Sequence, residues 1–250
     1  MVYLIKRIIM ENKISQTALK NYDKCQWLAK LANVDHLANP AEDKTAFMKG
    51  KFFEYLVIGS TVDGVVPKLP PIKTGQSKDE KDIIELAEYA KDLLFKKMKL
   101  EIVKVQPKCE FNNCKAMPDL IGILNGKKYL CDLKFTETKE NDSWGEWCWG
   151  KPEKIDMTQA IHYVYTYAMA NEPLPFLYLV FGKTKWFKAI EVNVSDNTLM
   201  NHRERLQVYQ YSVDEGLFLP CNDFSICNNC DYNSVCDKKK ETPEIIMINL

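Results

Sequence analysis

Between Pro118 and Lys134 the chain reads Pro-Asp-Leu-Ile-Gly-Ile-Leu-Asn-Gly-Lys-Lys-Tyr-Leu-Cys-Asp-Leu-Lys, two apolar runs parted by Asn125-Gly126. Each run is rich in β-branched, aromatic or Leu residues, and Asn-Gly suits a type I′ turn, so the stretch predicts a β-hairpin with strands over 117–124 and 127–135. A hairpin sets its strands side by side. Asp119 stands six residues before Asn125 and Asp132 six after Gly126, which lets both carboxylates lie near one another. Lys134 is two residues beyond Asp132, and strand alternation turns it to the same face.

Two carboxylates converging on one point repel unless a cation joins them, and a hard divalent ion such as Mg²⁺ or Mn²⁺ takes oxygen ligands of this kind. An ammonium beside the ion could orient a water or help deprotonate it. These are the parts required for metal-assisted hydrolysis of a phosphodiester. Taken alone, the same three residues read more readily as an ordinary exposed salt bridge on a surface hairpin, because a motif this short often occurs without the chemistry.

Pro118-Asp119 followed by Asp132-Leu133-Lys134 resembles the signature of the PD-(D/E)xK nucleases, and the flanking blocks resemble its RecB-like branch. Gly50-Lys51-Phe52-Phe53-Glu54 is similar to the upstream helical motif, with Glu54 where many relatives carry His. Gln159-Ala160-Ile161-His162-Tyr163 is similar to the Q-x-x-x-Y motif that follows the core strands. Cys25 with Cys227, Cys230 and Cys236 resembles the iron–sulfur pattern of CRISPR-adaptation nucleases and AddB-type helicase–nucleases. The resemblance implies an α/β fold, a mixed central β-sheet flanked by helices, with a C-terminal cysteine-rich iron–sulfur cap. It implies a Mg²⁺ or Mn²⁺ ion held by Asp119, Asp132 and the backbone carbonyl of Leu133. Glu54 would be a further ligand or would hold the attacking water. Gln159 and Tyr163 would face the active site, where the amide and the phenol could hydrogen-bond a phosphate or the metal-bound water. The implied activity is DNA cleavage, most readily as an exonuclease in recombination, repair or processing.

Nine cysteines with no secretory signal point to metal binding rather than disulfides, because the cytosol keeps thiols reduced. Cys-x-x-Cys-x5-Cys over 227–236 is too dense for structural thiols alone, and one distant thiolate would complete a tetrathiolate site. Chemistry alone allows zinc or a 4Fe-4S cluster. The resemblance favours the cluster with Cys25 as fourth ligand, and Cys221 is the rival on proximity. Cys109 and Cys114 flank a turn at 111–113 and read as unligated thiols.

The formal net charge is zero, so DNA with single-stranded or free-end character would have to be gripped by local clusters such as Lys96-Lys97, Lys127-Lys128 and Lys238-Lys239-Lys240. Such clusters are more often solvated surface. The apolar segment 2–10 is interrupted by Lys6-Arg7 and has no cleavage site, and no stretch is apolar enough to span a bilayer, which predicts a cytoplasmic protein without a membrane partner. Homo-oligomerisation or membership of a larger processing complex is left open.

One nuclease domain over 1–250 is expected, with an N-terminal helix over 15–38, a catalytic core over 45–195 and a cysteine-rich cap over 221–240. The core helices are predicted over 45–60, 77–98 and 156–170, a strand over 101–111, two further strands over 175–182 and 186–194, and a long helix over 195–215. The segment 64–75, with Pro67, Pro70 and Pro71, should be a loop. Trp144, Trp147 and Trp149 would either stack on unpaired bases or close one end of the core. Two rival functions stand beside cleavage: a catalytically idle DNA-binding or assembly module, and a zinc-stapled structural protein.

Overall fold

The structure, a computed structural model, describes residues 13–40, 45–60, 66–69, 77–144, 147–221 and 223–238. The apolar segment 2–10, most of the 64–75 loop, and Lys239 and Lys240 lie outside the described residues. The chain divides into two compact units, Lys44–Leu199 and Met1–Asp43 together with Met200–Leu250.

In the Lys44–Leu199 unit, β1 (Glu101–Val105), β4 (Leu120–Leu124), β5 (Lys127–Thr136), β6 (Phe176–Gly182) and β7 (Phe187–Val192) form one sheet in the order β1-β4-β5-β6-β7. It is mixed: β5 and β6 run parallel, and the other neighbours antiparallel. The turn between β4 and β5 has φ of 52° at Asn125 and 77° at Gly126, the two positive angles a type I′ turn requires. Leu124 pairs with Lys127 and Leu120 with Cys131. Continuing that register by one residue sets Asp119 opposite Asp132.

Alternation along β5 divides the core. Tyr129, Cys131 and Leu133 face the layer of α3 (Thr45–Ile58) and α4 (Lys78–Lys91), meeting Phe52, Phe53, Ile83, Leu86 and Ala90. Leu130 faces the layer of α5 (Thr158–Ala168), with Phe176, Tyr178, Val164 and Trp149. Asp132 and Lys134 share that second face, so the charged residues of the strand open towards α5. β6 is buried along its whole length, as a strand covered by helices on both faces must be. Gly182 is fixed by packing, since a Cβ there would stand 1.9 Å from the Trp186 indole.

Two predicted elements are broken. The strand expected over 101–111 stops at Val105; Gln106 has φ of 42°, and β2 (Cys109–Phe111) leaves to pair with β3 (Cys114–Ala116) in a separate two-stranded sheet. The helix expected to run on from Ser15 stops after α1 (Gln16–Lys24). Cys25 is extended at φ −165°, ψ 119° before α2 (Gln26–Ala29) and a π-turn over Lys30–Val34. Ser15 and Ser77 each cap a helix as predicted, accepting from Ala18 N and Glu80 N.

In the other unit, Tyr22 of α1 packs edge-on against Tyr209 of α6 (Asp196–Glu215), and its hydroxyl lies 2.7 Å from Ser212 Oγ. The described residues end in α7 (Phe224–Asn228) and a run of turns. Among the described residues no helix is long and apolar enough to cross a membrane.

Candidate active site

Where β4 begins and β5 continues past it, the structure draws Asp119, Asp132, Lys134, Gln159 and Glu54 into one network. Asp119 Oδ2 accepts the backbone N–H of Leu133 at 2.6 Å, so this carboxylate is aimed along the strand edge beyond the last β4–β5 pair. A strand residue's N–H and C=O share an edge, which puts the Leu133 carbonyl on Asp119's side. Asp132 is buried, at 3 % exposure. Its Oδ1 accepts from Gln159 Nε2 at 2.8 Å, and its Oδ2 lies 2.7 Å from Lys134 Nζ but receives no well-directed hydrogen bond.

Glu54 comes from α3, in the opposite layer, and its Oε1 accepts from Gln106 Nε2 at 2.7 Å. Loss of water pushes its carboxyl above the usual range, and the Asp132 charge adds to that against the pull of Gln106. Asp119 is held far above its ordinary value, by desolvation first and then by the charges of Asp132 and Glu54. Three carboxyls are thus close enough to raise one another's cost of ionisation, with one ammonium among them. A divalent cation is the group that would relieve this, and the oxygen donors are of the type Mg²⁺ or Mn²⁺ accepts. As they stand, no three His, Cys, Asp or Glu side chains among the described residues are gathered tightly enough to hold an ion. The donors fit by chemistry and by the poorly satisfied Asp132 Oδ2.

Gln159 and Tyr163 lie one turn apart on α5. The Tyr163 hydroxyl interacts with the Gln159 side chain, and desolvation pushes the phenol well above its normal range, so it stays a neutral donor. His162 faces away, its Nε2 lying 2.9 Å from the Lys115 carbonyl.

The three tryptophans take three different positions. Trp149 is buried at 1 % exposure, and Trp147 stacks on it at 5.1 Å while lying 5.4 Å from Lys134 Nζ in a cation–π arrangement. Trp144 is 86 % exposed. Only Trp149 therefore closes the core outright. The lysine clusters are largely consumed by exposed pairs: Lys96 and Lys97 with Asp92, and Lys127 with Glu191. Such pairs contribute little.

Sequence reasoning missed Gln106. It precedes no recognisable motif, and its one local oddity, a positive φ without glycine, does not show in composition.

In the other unit, Cys25, Cys221, Cys227, Cys230 and Cys236 line one small, partly open cavity, together with Trp27, Leu28, Leu31 and Ile226. Burial raises the thiols of Cys230 and Cys236, and each also feels Cys25 nearby. Cys221 is not among the groups acting on either; its Sγ accepts from Asp223 N at 3.2 Å. Cys109 and Cys114 are buried free thiols, Cys114 pushed to about 11 by desolvation.

No known family profile matches the chain, and no curated protein matches it. Among solved structures, a "putative exonuclease" from Eubacterium rectale is similar over 94 % of this chain and 91 % of its own, at 18 % identity and a TM-score of 0.63. That is a shared fold. A second structure, SSO0001, is 12 % identical with a TM-score of 0.39 over 96 % of both chains, too low to argue from.

Proposed function

We propose that the chain is a divalent-metal-dependent deoxyribonuclease, acting as an exonuclease in DNA recombination, repair or processing. The observation that carries this reading is the convergence of Glu54, Asp119 and Asp132 with Lys134 at the end of the β4–β5 hairpin. The fold shared with the Eubacterium rectale protein, which is named for exonuclease activity, is consistent with it. A cation held by Glu54, Asp119, Asp132 and the Leu133 carbonyl would supply Lewis-acid stabilisation of the charge that builds on the phosphoryl oxygens.

The chain's own residues do the rest. Lys134, paired to Asp132 at 2.7 Å and lying over Trp147, holds a positive charge at a fixed place from which to orient a water or meet a phosphate oxygen. Gln159 fixes Asp132 through Oδ1, and the neutral Tyr163 hydroxyl is available to donate towards a phosphate. Proximity of these groups converts encounter into an oriented complex. DNA with a free or single-stranded end is the substrate class this reading assigns.

The cysteine cavity belongs to the same proposal as a structural element. Cys25, Cys227, Cys230 and Cys236 would hold a 4Fe-4S cluster, tying residue 25 to residues 227–236 and adding its binding free energy to folding. The proximity of Cys25 to Cys230 and Cys236, whose thiols it acts on, supports Cys25 over Cys221 as the fourth ligand.

The test is cleavage of linear and circular DNA by purified protein with Mg²⁺, with Mn²⁺ and with chelator. Metal-dependent loss of linear DNA with circular DNA spared is expected. Binding of DNA with no cleavage under any metal would reject the enzyme in favour of an idle module.

A further inference from the structure

We propose that Gln106 is a positioning residue of the carboxylate site, tying the Glu54 side chain to the Asp119 main chain beside the place where a shared divalent cation would bind. The inference rests on the cation-dependent reading above and deepens it.

Gln106 immediately follows β1, and its backbone N–H donates to the Asp119 carbonyl at 2.8 Å. Its side-chain Nε2 donates to Glu54 Oε1 at 2.7 Å. Its side-chain Oε1 accepts from Ser60 Oγ at 3.1 Å; the Glu54 carboxylate, an acceptor when ionised, is what turns the NH₂ end of the amide towards it. One residue thus bonds the main chain of one candidate ligand and the side chain of another. The two arrive from separate segments, the residue before β4 and α3, and their carboxyls also meet each other directly through a side-chain hydrogen bond. Ser60 is brought in because α3 ends at Gly59, whose φ of 72° turns the chain out of the helix.

The backbone of Gln106 sits at φ 42°, a region that glycine or asparagine occupies far more cheaply. Unfavourable conformations of this kind persist where the surroundings over-determine them, and they gather at functional sites. The chemistry explains the choice of residue. A glycine would suit the turn but offers no donor, and an asparagine is one methylene short of Glu54. A lysine would compete with the cation, and a glutamate would add a fourth carboxylate to three that already repel. A neutral donor of glutamine length engages Oε1 and adds no charge that would compete with the ion.

The experiment is calorimetric titration of Mn²⁺ into DNA-free protein, with the melting temperature and the Mn²⁺ dependence of cleavage followed in parallel. Gln106→Asn keeps the positive φ and should melt like the wild type, yet bind Mn²⁺ about 10–100-fold more weakly, the usual cost of removing a partner of a metal ligand. Half-maximal cleavage should need correspondingly more Mn²⁺, with KM for DNA unchanged. Ser60→Ala should move in the same direction by less. Should Gln106→Asn melt early, Gln106→Gly relaxes the backbone and carries the same comparison. If Gln106→Asn binds Mn²⁺ as wild type does while Asp119→Ala does not, the positioning role is wrong and the cation site stands. If wild-type protein takes up no Mn²⁺, the reading beneath the proposal fails, and the proposal with it.

Discussion

In the Lys44–Leu199 unit the carboxylates of Asp119 and Asp132 stand on paired strands, each engaged by a directed donor, Leu133 N–H or Gln159 Nε2. In the other unit, the thiols of Cys25, Cys227, Cys230 and Cys236 ride on a helix break, a five-residue helix and a turn segment, and face a cavity they share. The first arrangement is fixed by the fold and is under electrostatic tension without a cation. The second is a set of positions that a bound group would cross-link. Loss of a ligand should therefore have opposite consequences in the two places, function at one and stability at the other.

The largest expected effect is on turnover. Asp132→Ala should lower cleavage by about 10³-fold or more, since a cation's stabilisation of transition-state charge is worth several kcal/mol and each 1.36 kcal/mol is tenfold. Its circular dichroism and melting temperature should stay close to wild type. Full activity in the purified variant would remove the site from this hairpin.

Next in size is the cysteine cavity. Anaerobically purified protein should be brown, with iron and acid-labile sulfide. Cys25→Ser should bleach it and lower the melting temperature, by about 2–4 °C for each kcal/mol of cross-linking lost. Cys221→Ser should stay brown. Stoichiometric zinc without iron would reject the cluster and keep the staple, and a brown Cys25→Ser beside a colourless Cys221→Ser would reassign the fourth ligand.

Gln159→Ala should slow cleavage about tenfold, because it removes a hydrogen bond to Asp132 rather than a metal ligand. A loss as large as that of Asp132→Ala would mean that the amide does more than hold the carboxylate.

The smallest effect is on stability, and its sign separates the two regions. Asp119 and Glu54 have folded-state pKa values raised above the ordinary carboxylate range. Their contribution is therefore fully present below that range and is lost as pH rises through the raised values. Metal-free protein should melt at progressively lower temperature over that interval, and added Mg²⁺ or Mn²⁺ should restore it at neutral pH. Metal-free Asp119→Asn should melt a few degrees above wild type there, at about 2–4 °C per kcal/mol of relieved repulsion. A lower melting temperature would show that Asp119 is not under strain.

The hairpin could be read from the sequence because its information is local: Asn125-Gly126 sets the turn, the turn sets the register, and the register sets Asp119 across from Asp132. Gln159 followed from helical spacing and the resemblance. What lay hidden depends on tertiary contact. Gln106 reads as one more strand residue until the chain turns at φ 42° to reach Glu54. Cys25 lies within a helical pattern, and only its extended backbone separates α1 from α2. Three tryptophans in one loop look alike in sequence, yet burial ranges from 1 % exposure at Trp149 to 86 % at Trp144.

The central claim is that a divalent cation sits among Glu54, Asp119 and Asp132. Crystals soaked in Mn²⁺ and measured for anomalous scattering test it most directly. The expected result is a peak within bonding distance of these three carboxylates, absent in Asp132→Ala. A peak elsewhere, or none at a Mn²⁺ concentration that supports cleavage, would contradict it.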